Sequence, residues 1–232
     1  MPSLLLKPVP QTVTNVRMLP VPGSNHQVLV IDDFMPAPQK LIDYAVARQQ
    51  PPSESPVYPG LRAPVPPGYL KYAIATINRA FQREKVTARV SDGEAYFAMV
   101  TRAAEELTLE QSIPHFDRPL LNEFAIVHYL CSPAFGGTSF YRYKPTAQVA
   151  ITRPGLHAYQ QNLAQHLQYY PAERGYINGD TPLFERVLQV PCEFNRAVIY
   201  PCALLHSGDI SKQFKTDLNP YTARFTVTAF LR

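Results

Sequence analysis

Cysteine is scarce in this sequence, and the three present, Cys131, Cys192 and Cys202, neither form an even set nor fall in a CxxC spacing. That argues against a disulfide framework and a structural zinc knuckle, and it points to a reducing compartment. Charge is sparse as well, at 17% of residues, and the 22 Lys and Arg behind the net charge of +4 never gather into a basic run that could track phosphates. Nucleic acid is therefore not an expected partner. Long hydrophobic runs are missing too: the opening MPSLLLKPVP has three leucines before Lys7 and Pro8, too few for a signal sequence or a membrane span. The expectation is a cytoplasmic protein without a membrane partner. Glycine is outnumbered by proline, 10 to 24, and the segment PPSESPVYPGLRAPVPPG from residue 51 reads as a loop.

What is present suits a folded body. A chain of 232 residues with 46% hydrophobic content can bury a full core, and it reads as one domain. Residues 1–111 hold N-terminal strands and supporting helices, and residues 112–232 hold a mainly β core. In the first part VLVIDDF (28–34) predicts a buried strand. PAPQKLIDYAVARQ (36–49) predicts a helix opened by prolines, and YLKYAIATINRAFQR (69–83) an amphipathic helix. VTARV and EAYFAMVT, around a Ser91-Asp92-Gly93 turn, predict a hairpin. Short period-two segments follow: SIPHFD, EFAIVHYL, TSFYRY, ERVLQVPC, RAVIYPC, LLHSGD and ARFTVTAFL. Their spacing predicts a sandwich or jelly roll, mainly β with flanking helices. A helical stretch, HAYQQNLAQHLQYY (157–170), interrupts them within an insert at about 145–183, long enough to be expected to act as a lid.

Three residues could hold a metal. His115 and Asp117 stand two apart in a predicted strand, where side chains at i and i+2 share a face. His206 follows an apolar strand and precedes a turn. Two imidazoles and one carboxylate leave coordination positions open, the set associated with ferrous oxygenases rather than with closed structural zinc; His206 can equally be a satisfied core histidine. Arg224 lies in an otherwise apolar alternating strand, sharing a face with Thr226 and Thr228. Its guanidinium needs an anion there, either a bound carboxylate or an internal salt-bridge partner. His128 sits among large apolar neighbours and reads as structural, and His26, His157 and His166 carry no assigned role.

The order His-x-Asp, HYLCSPAFGGTSFY, RAVIYPCALLHSGD and ARFTVTAFL resembles the prolyl hydroxylase-like proteins of the Fe(II)/2-oxoglutarate-dependent oxygenase superfamily, and VLVIDDFMPAPQKLIDYA resembles the strand and helix that open many of them. The resemblance implies a double-stranded β-helix core, cupin-like, with the N-terminal helices packed on one sheet. It implies that His115, Asp117 and His206 bind Fe(II) and that Arg224, with Thr226, binds the distal carboxylate of 2-oxoglutarate. Tyr129 and Tyr141 are candidates for the same pocket, since phenols can donate to a carboxylate, and Gly136 and Gly137 match the Gly-Gly before a core strand. The implied activity is a dioxygenase that uses O2 and 2-oxoglutarate, hydroxylates an amino acid, peptide side chain or small metabolite, and releases succinate and CO2. Two alternatives stay open: an inactive jelly-roll binding module, and a cupin-like metalloenzyme that does not use 2-oxoglutarate. If Arg224 is not the anchor, Arg142 and Arg196 are the next cations to consider.

Overall fold

The computed structural model describes residues 15–48, 52–54, 58–211 and 214–232. Eight strands form one antiparallel sheet: β1 (Val16–Pro20), β2 (Gln27–Ile31), β3 (Ser53–Glu54), β4 (Gly60–Pro64), β5 (Gly93–Val100), β6 (Phe124–Tyr129), β9 (Ala197–Pro201) and β11 (Phe225–Leu231), in the order β1-β2-β9-β6-β11-β5-β4-β3. A three-stranded antiparallel sheet is made by β7 (Thr138–Tyr143), β8 (Phe184–Val190) and β10 (His206–Gly208), in the order β10-β7-β8. Three helices accompany them: α1 (Gln39–Val46), α2 (Tyr69–Arg83) and α3 (Leu156–Tyr169). No helix among the described residues is long and apolar enough to cross a membrane.

Alternation along the strands decides what each face of the large sheet meets. The row Leu29, Ile199, Ile126, Ala229, Ala95 crosses β2, β9, β6, β11 and β5, and it packs with Leu41 and Ile42 of α1 and with α2. The helix α2 buries Tyr69, Tyr72, Ala73, Thr76, Ile77, Ala80 and Phe81, the i, i+3, i+4 spacing of one helical face. Between these rows lies the opposite face, with Val30, Val198 and Tyr129, which packs with Phe140 of β7 and Val190 of β8. The small sheet therefore lies on one face of the large sheet and the helices α1 and α2 on the other.

Several expectations change in physical detail. The proline-rich segment is not all loop, since Gly60–Pro64 pairs with β5 over its whole length. Pro64 lies past the end of two-residue β3, so its missing N–H costs no ladder bond on that edge. Residues 86–90 do not form the first arm of a hairpin. Both backbone groups of Val90 are taken by the Asn78 side chain of α2, at 2.7 and 3.0 Å, and Ser91 and Asp92 donate to the Arg232 carbonyl instead. In SIPHFD only an isolated bridge forms, between His115 and His206. The helix α3 buries Tyr159 against Phe116 and Tyr143, with ring centroids 6.2 and 5.2 Å apart. It thus packs against Phe116, the residue between His115 and Asp117.

Candidate metal centre

Backbone bonds draw the three predicted ligands together. His115 and His206 exchange both main-chain hydrogen bonds, at 2.9 and 2.8 Å, and two residues on the Asp117 N–H donates to the Cys202 carbonyl at 2.9 Å. The stretch from His115 to Asp117 is thereby laid along residues 202–206, with Pro114 and Pro119 on either side. One ligand atom from each of His115, Asp117 and His206 can be chosen so that all lie within 4.8 Å of one another. The imidazole rings are 4.4 Å apart at their centroids, and Nε2 of His206 lies 3.6 Å from Oδ2 of Asp117. That gap is too long for a hydrogen bond, whereas donors each about 2.0–2.2 Å from one ion sit roughly 3–4 Å apart.

The state of each donor fits a cation. Oδ2 of Asp117 is buried and has no hydrogen-bond partner, a costly condition for a carboxylate unless something positive meets it. Burial raises the Asp117 carboxyl above its ordinary range, and the charges of His115, Arg62 and Arg118 work against that rise. Nδ1 of His206 lies 2.9 Å from the Leu204 carbonyl; a proton held there donates to that oxygen and leaves the Nε2 lone pair on the Asp117 side, the usual support for a ligating imidazole. Burial lowers the His206 ring to about 4, so it is neutral and able to ligate at neutral pH. The His115 side chain is 49% exposed, which keeps one side of the triad open to solvent. These residues suit a divalent ion, with His115, Asp117 and His206 as its protein donors.

Arg224 precedes β11 and is 5% exposed. Its Nε and Nη2 donate to the carbonyls of Phe135 and Gly137, at 3.2 and 3.3 Å. A Cβ placed on Gly208 would lie 3.3 Å from Nη2, so the guanidinium sits against β10, the strand that starts with His206. The ionisable groups around it are Tyr58, Cys131, Tyr129 and Cys192, and none is a carboxylate. Thr226 is buried on the same face as Tyr129, its strand partner, and its hydroxyl donates to the Ala98 carbonyl at 3.3 Å. The Tyr129 hydroxyl lies 2.6 Å from that of Thr138. Arg224, Thr226 and Tyr129 are thus brought together. Tyr141 is not: alternation puts it with Tyr143 on the other face of β7, in the cluster under α3, and it drops out of this pocket. Gly136, at φ +77°, and Gly137 pass so close to the Asp209 and Val190 carbonyls that a Cβ on either would overlap them, which explains the pair.

Over residues 12–231 the sequence matches a family model described as a family of unknown function, DUF6445. The chain belongs to this family. Comparison with curated proteins gives no match. Among solved structures, this DUF6445 protein is similar to HygX from Streptomyces hygroscopicus, crystallised with nickel and 2-oxoglutarate bound, at 11% identity and a TM-score of 0.47, over 88% of this chain and 82% of that one. It is similar to AviO1 from Streptomyces viridochromogenes Tue57 at 11% identity and a TM-score of 0.37, over 94% and 72% of the two chains. A third is SnoN, a non-heme alpha ketoglutarate dependent epimerase from nogalamycin biosynthesis, at 11% identity and a TM-score of 0.40, over 88% and 77%.

Other candidates from the sequence are committed elsewhere in this DUF6445 fold. His128 faces the helices, between the Tyr69 hydroxyl and the Asn195 side chain at 3.1 Å each. Arg142 pairs with Glu185 at 2.8 Å, and Arg196 pairs with Asp32, so neither is free to anchor a carboxylate. Cys131, Cys192 and Cys202 are free thiols. Arg62, which the proline-rich surroundings concealed in the sequence, is a cation whose charge bears on both His115 and Asp117.

Proposed function

We propose that this protein is an Fe(II)- and 2-oxoglutarate-dependent oxygenase of the double-stranded β-helix superfamily, prolyl hydroxylase-like, hydroxylating an amino acid, peptide side chain or small metabolite in the cytoplasm. The observation that carries the reading is the pairing of two unsatisfied groups of opposite sign. A buried Asp117 oxygen lacks a partner between two imidazoles, and a buried Arg224 lacks a carboxylate among the described residues while resting against the strand of His206. An iron ion answers the first and the distal carboxylate of 2-oxoglutarate the second. When bound, iron and 2-oxoglutarate supply the oxidising chemistry, consuming O2 and releasing succinate and CO2.

The chain's own residues bind and orient. Asp117 contributes the anionic ligand, and His115 and His206 contribute neutral nitrogens held by the backbone exchange and by the Leu204 carbonyl. Arg224 holds the cosubstrate's far end through a planar fork, with the Thr226 and Tyr129 hydroxyls alongside. The apolar face of Val30, Val198 and Phe140 keeps water from the interior side, and the open side at His115 admits substrate. The test is succinate formation from 2-oxoglutarate by protein reconstituted with Fe(II) in air. Metal-dependent succinate is expected. Bound metal without succinate would favour a metalloenzyme of another kind, and absence of metal binding a binding module.

A further inference from the structure

A second cation, on β4, is left unused by this reading. Arg62 belongs to the row Tyr129, Thr226, Ala98, Arg62, and so lies on the same face of the large sheet as Thr226. Its Nε is buried and has no hydrogen-bond partner, and none of the ion pairs among the described residues involves it. The residues outside the described set contain no Asp or Glu. The guanidinium instead lies over two phenol rings, 5.2 Å from the centroid of Tyr58 and 5.8 Å from that of Tyr96. Tyr96 is itself tethered, its hydroxyl donating to Glu94 at 3.0 Å, and Glu94 accepts from Arg118 at 2.7 Å.

Stacking of this kind fixes the plane of a guanidinium and leaves its N–H edge available. Arg62 lies on the face of the large sheet that packs with Phe140, the strand partner of His206, and its charge reaches both His115 and Asp117. One strand, β5, separates β4 from β11, so the backbones carrying Arg62 and Thr226 are roughly 10 Å apart at about 4.8 Å per strand. Two separate anionic groups fit that spacing. A partly buried cation with no protein anion, held flat by two rings on the sheet face that carries Thr226, is suited to an anion arriving from solution.

We propose that Arg62 anchors the substrate by binding an anionic oxygen group, carboxylate or phosphate, so that the molecule oxidised at the triad is an acid. This rests on the oxygenase reading, in which Arg224 takes the cosubstrate. The test uses the full chain loaded with Zn(II), which does not turn over, and saturated with 2-oxoglutarate. Acetate and inorganic phosphate are titrated separately while the arginine Nε–H signals are followed by NMR. At least one anion is expected to shift the Arg62 signal saturably, and the two arms tell carboxylate from phosphate. In Arg62→Ala, affinity for that anion, followed by calorimetry, is expected to fall about 10- to 150-fold, the range for losing a hydrogen-bonded charge. Arg62→Lys is expected to lie between, and it keeps the test decisive if the alanine variant does not fold. Both variants are expected to bind 2-oxoglutarate like the wild type. No saturable shift in a wild type that does bind 2-oxoglutarate overturns the proposal. So does loss of 2-oxoglutarate affinity in the Arg62 variants, which would make Arg62 the cosubstrate anchor. A wild type that binds no 2-oxoglutarate contradicts the oxygenase reading instead, and the anion titration of Arg62 is read separately from it.

Discussion

Asp117→Ala is expected to empty the metal centre. The variant removes the one anionic donor of the three, and it does so where the carboxylate is buried with an oxygen that no protein group satisfies. Groups one shell out from a metal already change affinity 10- to 100-fold, so loss of a direct anionic ligand should cost at least roughly 100-fold. Metal analysis after dialysis is expected to find about one Fe(II) or Mn(II) per wild-type chain and little in the variant. Misfolding is separable from ligand loss by the sign of the stability change. Burial raises the Asp117 carboxyl in the folded state, so above that raised value the metal-free fold carries the cost of an ionised buried group. Asp117→Asn removes this cost while keeping the shape. Metal-free Asp117→Asn is therefore expected to be at least as stable as metal-free wild type at neutral pH, with the advantage shrinking as pH falls and Asp117 takes up its proton. Full metal stoichiometry in Asp117→Ala would show that the ligands lie elsewhere.

Arg224→Ala is expected to leave the metal in place and weaken 2-oxoglutarate. A hydrogen bond to a charged group is worth about 1.5–3 kcal/mol, which corresponds to roughly 10- to 150-fold in affinity. Arg224 also ties Phe135 and Gly137 to the start of β11; its removal orphans the Phe135 carbonyl, while the Gly137 carbonyl keeps the Asp209 N–H. Arg224→Gln separates the two roles, because an amide can still donate to a carbonyl but has no charge for a carboxylate. The glutamine variant is expected to lose nearly as much affinity as the alanine one while unfolding closer to the wild-type temperature. Arg224→Lys is expected to fall between, with its charge restored and its fork missing. Titration of 2-oxoglutarate into each Fe(II)-loaded variant under nitrogen measures this. With Arg142 and Arg196 held in ion pairs, unchanged affinity in Arg224→Ala would turn attention to Arg62.

The clustering of His115, Asp117 and His206 was legible in the sequence because their positions follow from local geometry. His115 and Asp117 share a side in any extended chain, and His206 ends an apolar run, so the partners needed no knowledge of the sheet order. Arg224 was legible for a related reason, as a single charge in an alternating apolar segment. Tyr141 was misplaced because the sequence does not say which face of β7 turns toward the large sheet; Thr138 and Phe140 take that face, and Tyr141 goes to the cluster beneath α3. Arg62 was missed because prolines on both sides marked its segment as loop, while β4 tolerates Pro64 because that residue lies past the end of β3. The lid expectation rested on the insert's length and its interposed helix, and neither reveals that Tyr159 is buried against Phe116.

The most direct measurement of the central claim adds Fe(II) and 2-oxoglutarate to the protein in the absence of oxygen and records the visible spectrum. A weak charge-transfer band is expected, saturating near one cosubstrate per chain, absent with Zn(II), and lost in Asp117→Ala. A protein that holds Fe(II) in stoichiometric amount and develops no such band at saturating 2-oxoglutarate would contradict it.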